Sequence, residues 1–145
     1  VPSHANFIVP GKRPLSSMSP IMVENRHTGA LELIVGSSGG SRIITANILT
    51  TYAYLSHHGQ VSMDDVIARP RWHDQLLPPV TVFEYPGAQT PGFDNATVRA
   101  LTAKGHQAAY TAPGLSNTQA IQHMHAGLWH AASERRQYEA RGAAI

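Results

Sequence analysis

Apolar positions recur with two different periods along this chain and divide it into elements. The first nineteen residues show neither period. Pro2, Pro10, Gly11 and Pro14, with Pro20 just beyond, are too closely spaced for a helix, so residues 1–19 read as an extended loop. Ile21-Met22-Val23 and Leu31–Val35 are short apolar runs, separated by the turn-forming cluster Asn25-Arg26-His27-Thr28-Gly29. Together they predict a β-hairpin. Its second strand leads into Gly36-Ser37-Ser38-Gly39-Gly40. Beyond that turn Ile44, Ile48, Thr51/Tyr52 and Leu55 return at helical spacing until Gly59. The predicted unit is a buried strand, a tight turn and a buried helix.

Ser62-Met63-Asp64-Asp65 has the form of a capping box and predicts a short second helix ending before Pro70. Pro78-Pro79 lead into a strand over Val80–Tyr85 and then a loop rich in glycine and proline. Asp94 is placed to cap a helix with Val98, Leu101 and Thr102 on its inner face and Gly105 just past its end. From His106 onward the alternation changes, and His106–Tyr110, Thr118–Ala126 and Leu128–Ala132 are expected as antiparallel strands. Strands in hairpins with helices packed on them predict an α+β fold. Residues 1–145 form one piece, without internal repeat or domain boundary.

Composition narrows the function classes. Only 14% of residues are charged and 42% are apolar, the profile of an ordered, loop-rich piece. Net charge is +2, and Lys12-Arg13, Arg69/Arg71 and Arg135-Arg136 are scattered, so the clustered positive footprint of a nucleic-acid binder is missing. Cysteine is absent, which excludes disulfides, thiolate catalysis and cysteine-metal sites. No apolar stretch approaches a membrane span. Asn95-Ala96-Thr97 is a glycosylation sequon, which matters on a secretory route. The chain starts at Val1 without methionine, as expected of a processed or partial polypeptide.

Candidate chemistry gathers in two segments about twenty residues apart. A Gly39-Gly40 turn at a helix start exposes backbone N–H groups at the positive end of a helix dipole, suited to an anion or a developing oxyanion. On pattern alone it is equally well a tight strand-to-helix turn. Ser16-Ser17, in the loop Pro14-Leu15-Ser16-Ser17-Met18, offers two neutral hydroxyl donors for a compact carboxylate, although serine pairs in such loops usually serve the turn itself. Lys12 and Arg13 read as solvated loop charges. His123 and His125 stand at i, i+2 on an expected strand and so share a face, with His57-His58, His73 and His130 elsewhere. No third ligand stands at a metal spacing, and no metal site is expected. Asp64-Asp65 and Asp74 read as caps and dipole partners. No Gly-x-Ser-x-Gly elbow occurs and residue 1 is valine, so no activated nucleophile is visible.

Several of these segments share a resemblance. Gly11-Lys12-Arg13-Pro14-Leu15-Ser16-Ser17-Met18-Ser19-Pro20, followed by Gly36-Ser37-Ser38-Gly39-Gly40-Ser41-Arg42-Ile43-Ile44, resembles the γ-glutamyltransferase (glutathione hydrolase) family in the C-terminal part of its small subunit. Ala68-Arg69-Pro70-Arg71-Trp72-His73-Asp74-Gln75 is similar to the family's Ala-Pro-Arg-Phe-His-His-Gln. Ala132-Ser133-Glu134-Arg135-Arg136 and Gly142-Ala143-Ala144 resemble its closing Ser-Asp-Pro-Arg and Gly-Ala-Ala pieces. Departures are Ser38 in place of a proline frequent in the glycine loop, Glu134, and an insertion-like Gln137–Arg141.

The resemblance implies part of the four-layer αββα sandwich of N-terminal-nucleophile hydrolases and cleavage of γ-glutamyl amides through a γ-glutamyl-enzyme intermediate. Gly39 and Gly40 are then the oxyanion hole, and Ser16 and Ser17 bind the α-carboxylate of the γ-glutamyl group. No cofactor is implied. The nucleophilic threonine opens the family's small subunit upstream of the matching segment, and an arginine for the carboxylate lies in its large subunit. The chain is therefore expected to be inactive alone and to have as partners the large subunit and a nucleophile-bearing segment, in an extracellular, secreted or periplasmic setting. Another amidase of the same fold, such as a cephalosporin acylase or a polyglutamate-processing enzyme, and a noncatalytic binding remnant are the alternatives.

Overall fold

Residues 3–88, 90–114, 116–137 and 140–142 are described by a computed structural model of the chain. Strands β1 (Ile21–Glu24) and β2 (Leu31–Ser38) form the expected hairpin, with Ile21 opposite Val35 and Val23 opposite Leu33. Asn25 shapes the turn: its Oδ1 accepts from the N–H groups of His27 (3.0 Å) and Thr28 (3.1 Å), as asparagine does in Asx turns. β2 runs past Val35 to Ser38 because β6 (Asn117–His123) pairs antiparallel along its other edge as far as Ser38 opposite Asn117. β7 (Trp129–Ala132) completes a sheet of order β1-β2-β6-β7.

Helix α1 (Arg42–Ser56) and the short α2 (Met63–Ala68) lie on one face of this sheet. Leu33, Val35, Ala120 and Ala132 from the strands pack with Ala53 and Tyr54 of α1 and Met63, Val66 and Ile67 of α2. The expected buried face of α1 is reversed. Ile44, Ile48, Tyr52 and Leu55 are 47–69% exposed, whereas Ala46, Asn47, Thr50, Ala53 and Tyr54 face the sheet. Small side chains let the helix approach the strands closely, and the bulkier stripe is left on the outside. On the sheet's far face, Met22, Ile34, Ile121 and Ala131 stand in register across four strands. Met22 and Ile121 of that row are also exposed.

A second sheet has the order β3-β4-β5, from β3 (Trp72–His73), β4 (Thr81–Glu84) and β5 (Ala108–Thr111). Here the expected antiparallel arrangement fails for residues 106–110. β5 runs parallel to β4, and α3 (Asn95–Ala103) supplies the crossover that a parallel pair needs. Antiparallel pairing holds for β6 and β7. β6 also stops at His123. His125–Gly127 form a 3-10 turn with Ala126 at φ 63, so His123 and His125 do not share a strand face.

The capping prediction fails at α2 and holds at α3. Ser62 occupies the N-cap position of α2 but its side chain makes no capping bond, and Asp64 instead pairs with His130 at 3.0 Å. Asp94 accepts from the N–H groups of Ala96 (3.0 Å) and Thr97 (3.1 Å). Those two donors hold its carboxyl below the usual carboxylate range. A depressed folded-state pKa means that the cap acts at neutral pH and is lost as pH falls through that lowered value. Asp94→Ala is accordingly expected to speed amide exchange at Ala96 and Thr97 at pH 7 and to leave β1–β2 untouched, as hydrogen-exchange mass spectrometry can show. Unchanged exchange in α3 would mean that the cap is idle.

The two sheets are clasped by a buried ionic quartet. Arg71 reaches Glu134 at 2.6 Å, and Arg136 reaches both Glu134 (2.8 Å) and Glu84 (2.7 Å). Glu134 is fully buried and also accepts from the N–H of Thr118 at 3.0 Å. The departure from the resembled closing segment thus sits at the centre of this cluster. Gly142 runs back against β7, where a Cβ would collide with the backbone of Ala131. Ala143 and Ala144 lie outside the described residues.

Candidate functional site

The glycine turn joins the end of β2 to the start of α1. Gly39 has φ 127 and Gly40 φ 61, conformations that glycine adopts without a side-chain clash. Two weak bonds close the turn, from Arg42 N–H to Gly39 O and from Ile43 N–H to Gly40 O, both 3.2 Å. These use carbonyls. Among the described residues no hydrogen bond uses the N–H of Gly39 or Gly40. Ser41, at the N-cap, contributes no side-chain bond, so the Arg42 and Ile43 N–H groups rely on the two turn carbonyls. A Cβ built on Gly40 would meet nothing within 4 Å, so the turn borders open space.

Ser16 is exposed and Ser17 half-buried. The Ser16 hydroxyl oxygen accepts from the Met18 N–H at 3.1 Å, which is the ordinary turn role of a serine. That bond occupies a lone pair and leaves the hydroxyl proton free to donate. Asn6 Oδ1 holds the Leu15 N–H at 3.1 Å, and the Lys12 ammonium donates to the carbonyls of Ala5 and Phe7. Lys12 is therefore bound within its own loop, in keeping with the reading of it as a loop charge.

The β1–β2 ladder ends with Ile21 opposite Val35, so the serine loop before Ile21 and the glycine turn after Val35 leave it at the same end. Contacts support this direction. The Asn47 side chain of α1 donates to the Ser19 carbonyl at 2.6 Å and accepts from the Ser37 hydroxyl, also at 2.6 Å. Both predicted pairs thus belong to loops tied to one buried residue. Neither pair lines the cleft of about 950 Å³ that is bordered by Tyr54, His58, Asp64, His123, His125 and His130. That cleft lies at the opposite end of α1, roughly 20 Å away along a fifteen-residue helix.

His73 and Asp74 have structural partners. His73 is buried between Thr45 (2.8 Å) and Gln75 (2.9 Å), and Asp74 takes the Thr81 hydroxyl and the Leu76 N–H. No group of three or more His, Asp or Glu is arranged to hold a metal among the described residues. Asn47 and the Arg71–Glu84–Glu134–Arg136 quartet went unforeseen. An asparagine in mid-helix was the available signal for the first, since asparagine is an unfavourable helix-interior residue unless its side chain is used.

A strand, a glycine turn with free amides and a helix tied through Asn47 to a serine loop, on an α+β scaffold, agree with the N-terminal-nucleophile hydrolase fold. The Bacillus anthracis transpeptidase CapD shares that fold with a TM-score of 0.66, over 91% of this chain and 75% of its own, at 19% identity. Within this class residues 1–144 match γ-glutamyltranspeptidase, and the chain belongs to that family. A glutathione hydrolase proenzyme of Arthroderma benhamiae is 33% identical over 135 residues, which are 93% of this chain and 21% of that protein. The structure of a point mutant of Helicobacter pylori γ-glutamyltranspeptidase superposes with a TM-score of 0.76 at 31% identity, covering 94% of this chain and 70% of its own. The chain spans about a fifth of the length of the glutathione hydrolases of Arthroderma benhamiae and Aspergillus flavus that it matches. No helix among the described residues is long and apolar enough to cross a membrane.

Proposed function

We propose that this chain is the C-terminal portion of the small subunit of a γ-glutamyltransferase, and that it supplies the oxyanion hole and the carboxylate-binding loop for γ-glutamyl transfer and hydrolysis. A threonine hydroxyl on partner polypeptide attacks the γ-carbonyl carbon, and the carbonyl electron pair moves onto oxygen. The N–H groups of Gly39 and Gly40 receive that charge. The amine leaves with a proton, and water or an amino acid then takes the γ-glutamyl group from the threonine. Ser16 and Ser17 hold the α-carboxylate, which fixes the γ-carbon over the turn. One observation carries this reading: the Gly39 and Gly40 amides make no hydrogen bond among the described residues, and Gly40 borders open space, in a turn tied to the serine loop through Asn47.

The partners are the large subunit and a nucleophile-bearing segment. Two apolar surfaces support them, the outer stripe of α1 (Ile44, Ile48, Tyr52, Leu55) and the exposed Met22 and Ile121 on the far face of the first sheet. Apolar surface of this kind marks an interaction site. The setting is secreted or periplasmic, supported by the exposed sequon at Asn95 and by family membership.

The test is hydrolysis of γ-glutamyl-p-nitroanilide by the chain assembled with its partners. A hydrogen bond to a charged group contributes about 1.5–3 kcal/mol, so Ser17→Ala is expected to raise KM roughly ten- to a hundredfold. A glutaryl amide, which lacks the α-amino group, should be a much poorer substrate. Preference for the glutaryl amide, or an unaltered KM in Ser17→Ala, would overturn the reading.

A further inference from the structure

We infer that Asn47 is a positioning residue that couples the carboxylate-binding loop to the oxyanion turn. The catalytic consequence rests on the γ-glutamyl reading above, whereas the coupling itself stands on the geometry of the chain. Asn47 is 1% exposed and projects from the second turn of α1 toward the sheet. Its amide orientation follows from its partners. The backbone carbonyl of Ser19 can only accept, so Nδ2 must face it, at 2.6 Å, with the Ser19 hydroxyl oxygen 3.3 Å away. Oδ1 is then left to accept from the Ser37 hydroxyl at 2.6 Å. Having donated there, Ser37 accepts from Thr118, whose hydroxyl is 2.9 Å away and fully buried.

The result is a chain of hydrogen bonds with one direction, from Thr118 on β6 through Ser37 on β2 and Asn47 on α1 to the Ser19 carbonyl. Each bond polarises the next in a low-dielectric interior. Ser19 stands two residues after Ser17, and Ser37 two residues before Gly39. No neighbouring requirement of the core explains a polar residue here. Ala46 and Ala53 share the same helix face, and an apolar side chain at position 47 would cost no desolvation. What an apolar residue would lose is the fixed spacing between the two loops. A substrate held by its α-carboxylate presents the γ-carbonyl at a set distance, so this spacing decides whether the carbonyl oxygen meets the glycine amides.

Two substitutions separate the halves of the chain of bonds. Asn47→Asp keeps an acceptor for Ser37 but turns a carboxylate oxygen toward the Ser19 carbonyl, which releases the serine loop alone. In the assembled enzyme its KM for γ-glutamyl-p-nitroanilide is expected to rise roughly tenfold, with kcat within about threefold of wild type. Ser37→Ala releases the glycine turn alone and is expected to lower kcat by roughly tenfold with little change in KM. Hydrogen exchange gives a readout independent of activity. In Asn47→Leu, exchange should quicken at Leu15, Met18, Arg42 and Ile43, whose N–H groups are bonded within the two loops, and stay unchanged in α3. If Asn47→Asp and Ser37→Ala change kcat and KM together, or only lower the melting temperature, the positioning role is overturned. If the wild-type assembly leaves the γ-glutamyl amide intact while Asn47→Leu quickens exchange in both loops, the functional reading falls and the coupling stands. Faster exchange along the whole of α1, instead of in the two loops, would overturn the coupling as well.

Discussion

Gly40→Ala is expected to lower kcat for γ-glutamyl-p-nitroanilide by about 10²–10³-fold while leaving the fold in place. The stability side is modest. Gly40 sits at φ 61, a left-handed conformation that costs an L-residue about 1–2 kcal/mol, and the added methyl would touch nothing within 4 Å. The activity side is large on the proposed reading, in which that same open space admits the substrate carbonyl. An oxyanion donor acts only when the N–H lies about 2.7–3.1 Å from the developing charge, and a methyl beside it holds the carbonyl off. Gly39, at φ 127, lies outside even the left-handed helical well, so Gly39→Ala should lose stability as well as activity. Steady-state kinetics with a parallel thermal melt decide the matter. A Gly40→Ala enzyme with wild-type kcat would remove this amide from the oxyanion hole.

Elements with a local cause were legible in the sequence. The hairpin turn at Asn25, the Asp94 cap and the strand–glycine–helix unit all depend on residues within a few positions of one another. Errors arose where distant partners decide. Ile44, Ile48, Tyr52 and Leu55 formed the stronger apolar stripe of α1, yet Ala46, Thr50 and Ala53 face the sheet because small residues let the layers close. Periodicity reports a face and not its partner. The parallel direction of β5 likewise follows from the α3 crossover and has no signature in its own four residues. Of the candidate site, the serine and glycine pairs were visible as motifs, and the link between their two segments was not. It depends on the register of β1 against β2 and on Asn47, a residue whose role appears only once Ser19 and Ser37 are seen at its two ends.

The same long-range logic predicts the largest stability effect, at Glu134. The carboxylate is fully buried between Arg71 and Arg136, and Glu84 supplies the second negative charge of the quartet. Glu134→Gln keeps the shape and deletes one charge, leaving two guanidinium groups against a single carboxylate. Breaking a buried pair from one side costs about 3–5 kcal/mol, chiefly because the partner charge stays buried and uncompensated. Domains are held by about 5–15 kcal/mol in total, so a substantial share of stability would go. The pH dependence carries a sign that a packing defect would not reproduce. Burial alone pushes the Glu134 carboxyl up, but the guanidinium groups of Arg71 and Arg136 outweigh it and hold the group below its usual range. Its folded-state pKa is thus below the unfolded one. The stabilisation is complete above about pH 4.3, the ordinary glutamate value, and fades as pH falls through the lowered folded value. Wild type should therefore lose melting temperature steeply below that pH, and Glu134→Gln should show a shallower slope from a lower starting point. Replacing Arg71 and Glu134 together by apolar residues of similar volume should recover much of the loss, because the desolvation cost of the pair disappears with its attraction. If Glu134→Gln melts within about 1 kcal/mol of wild type with an unchanged acid slope, the quartet is not what joins the two sheets.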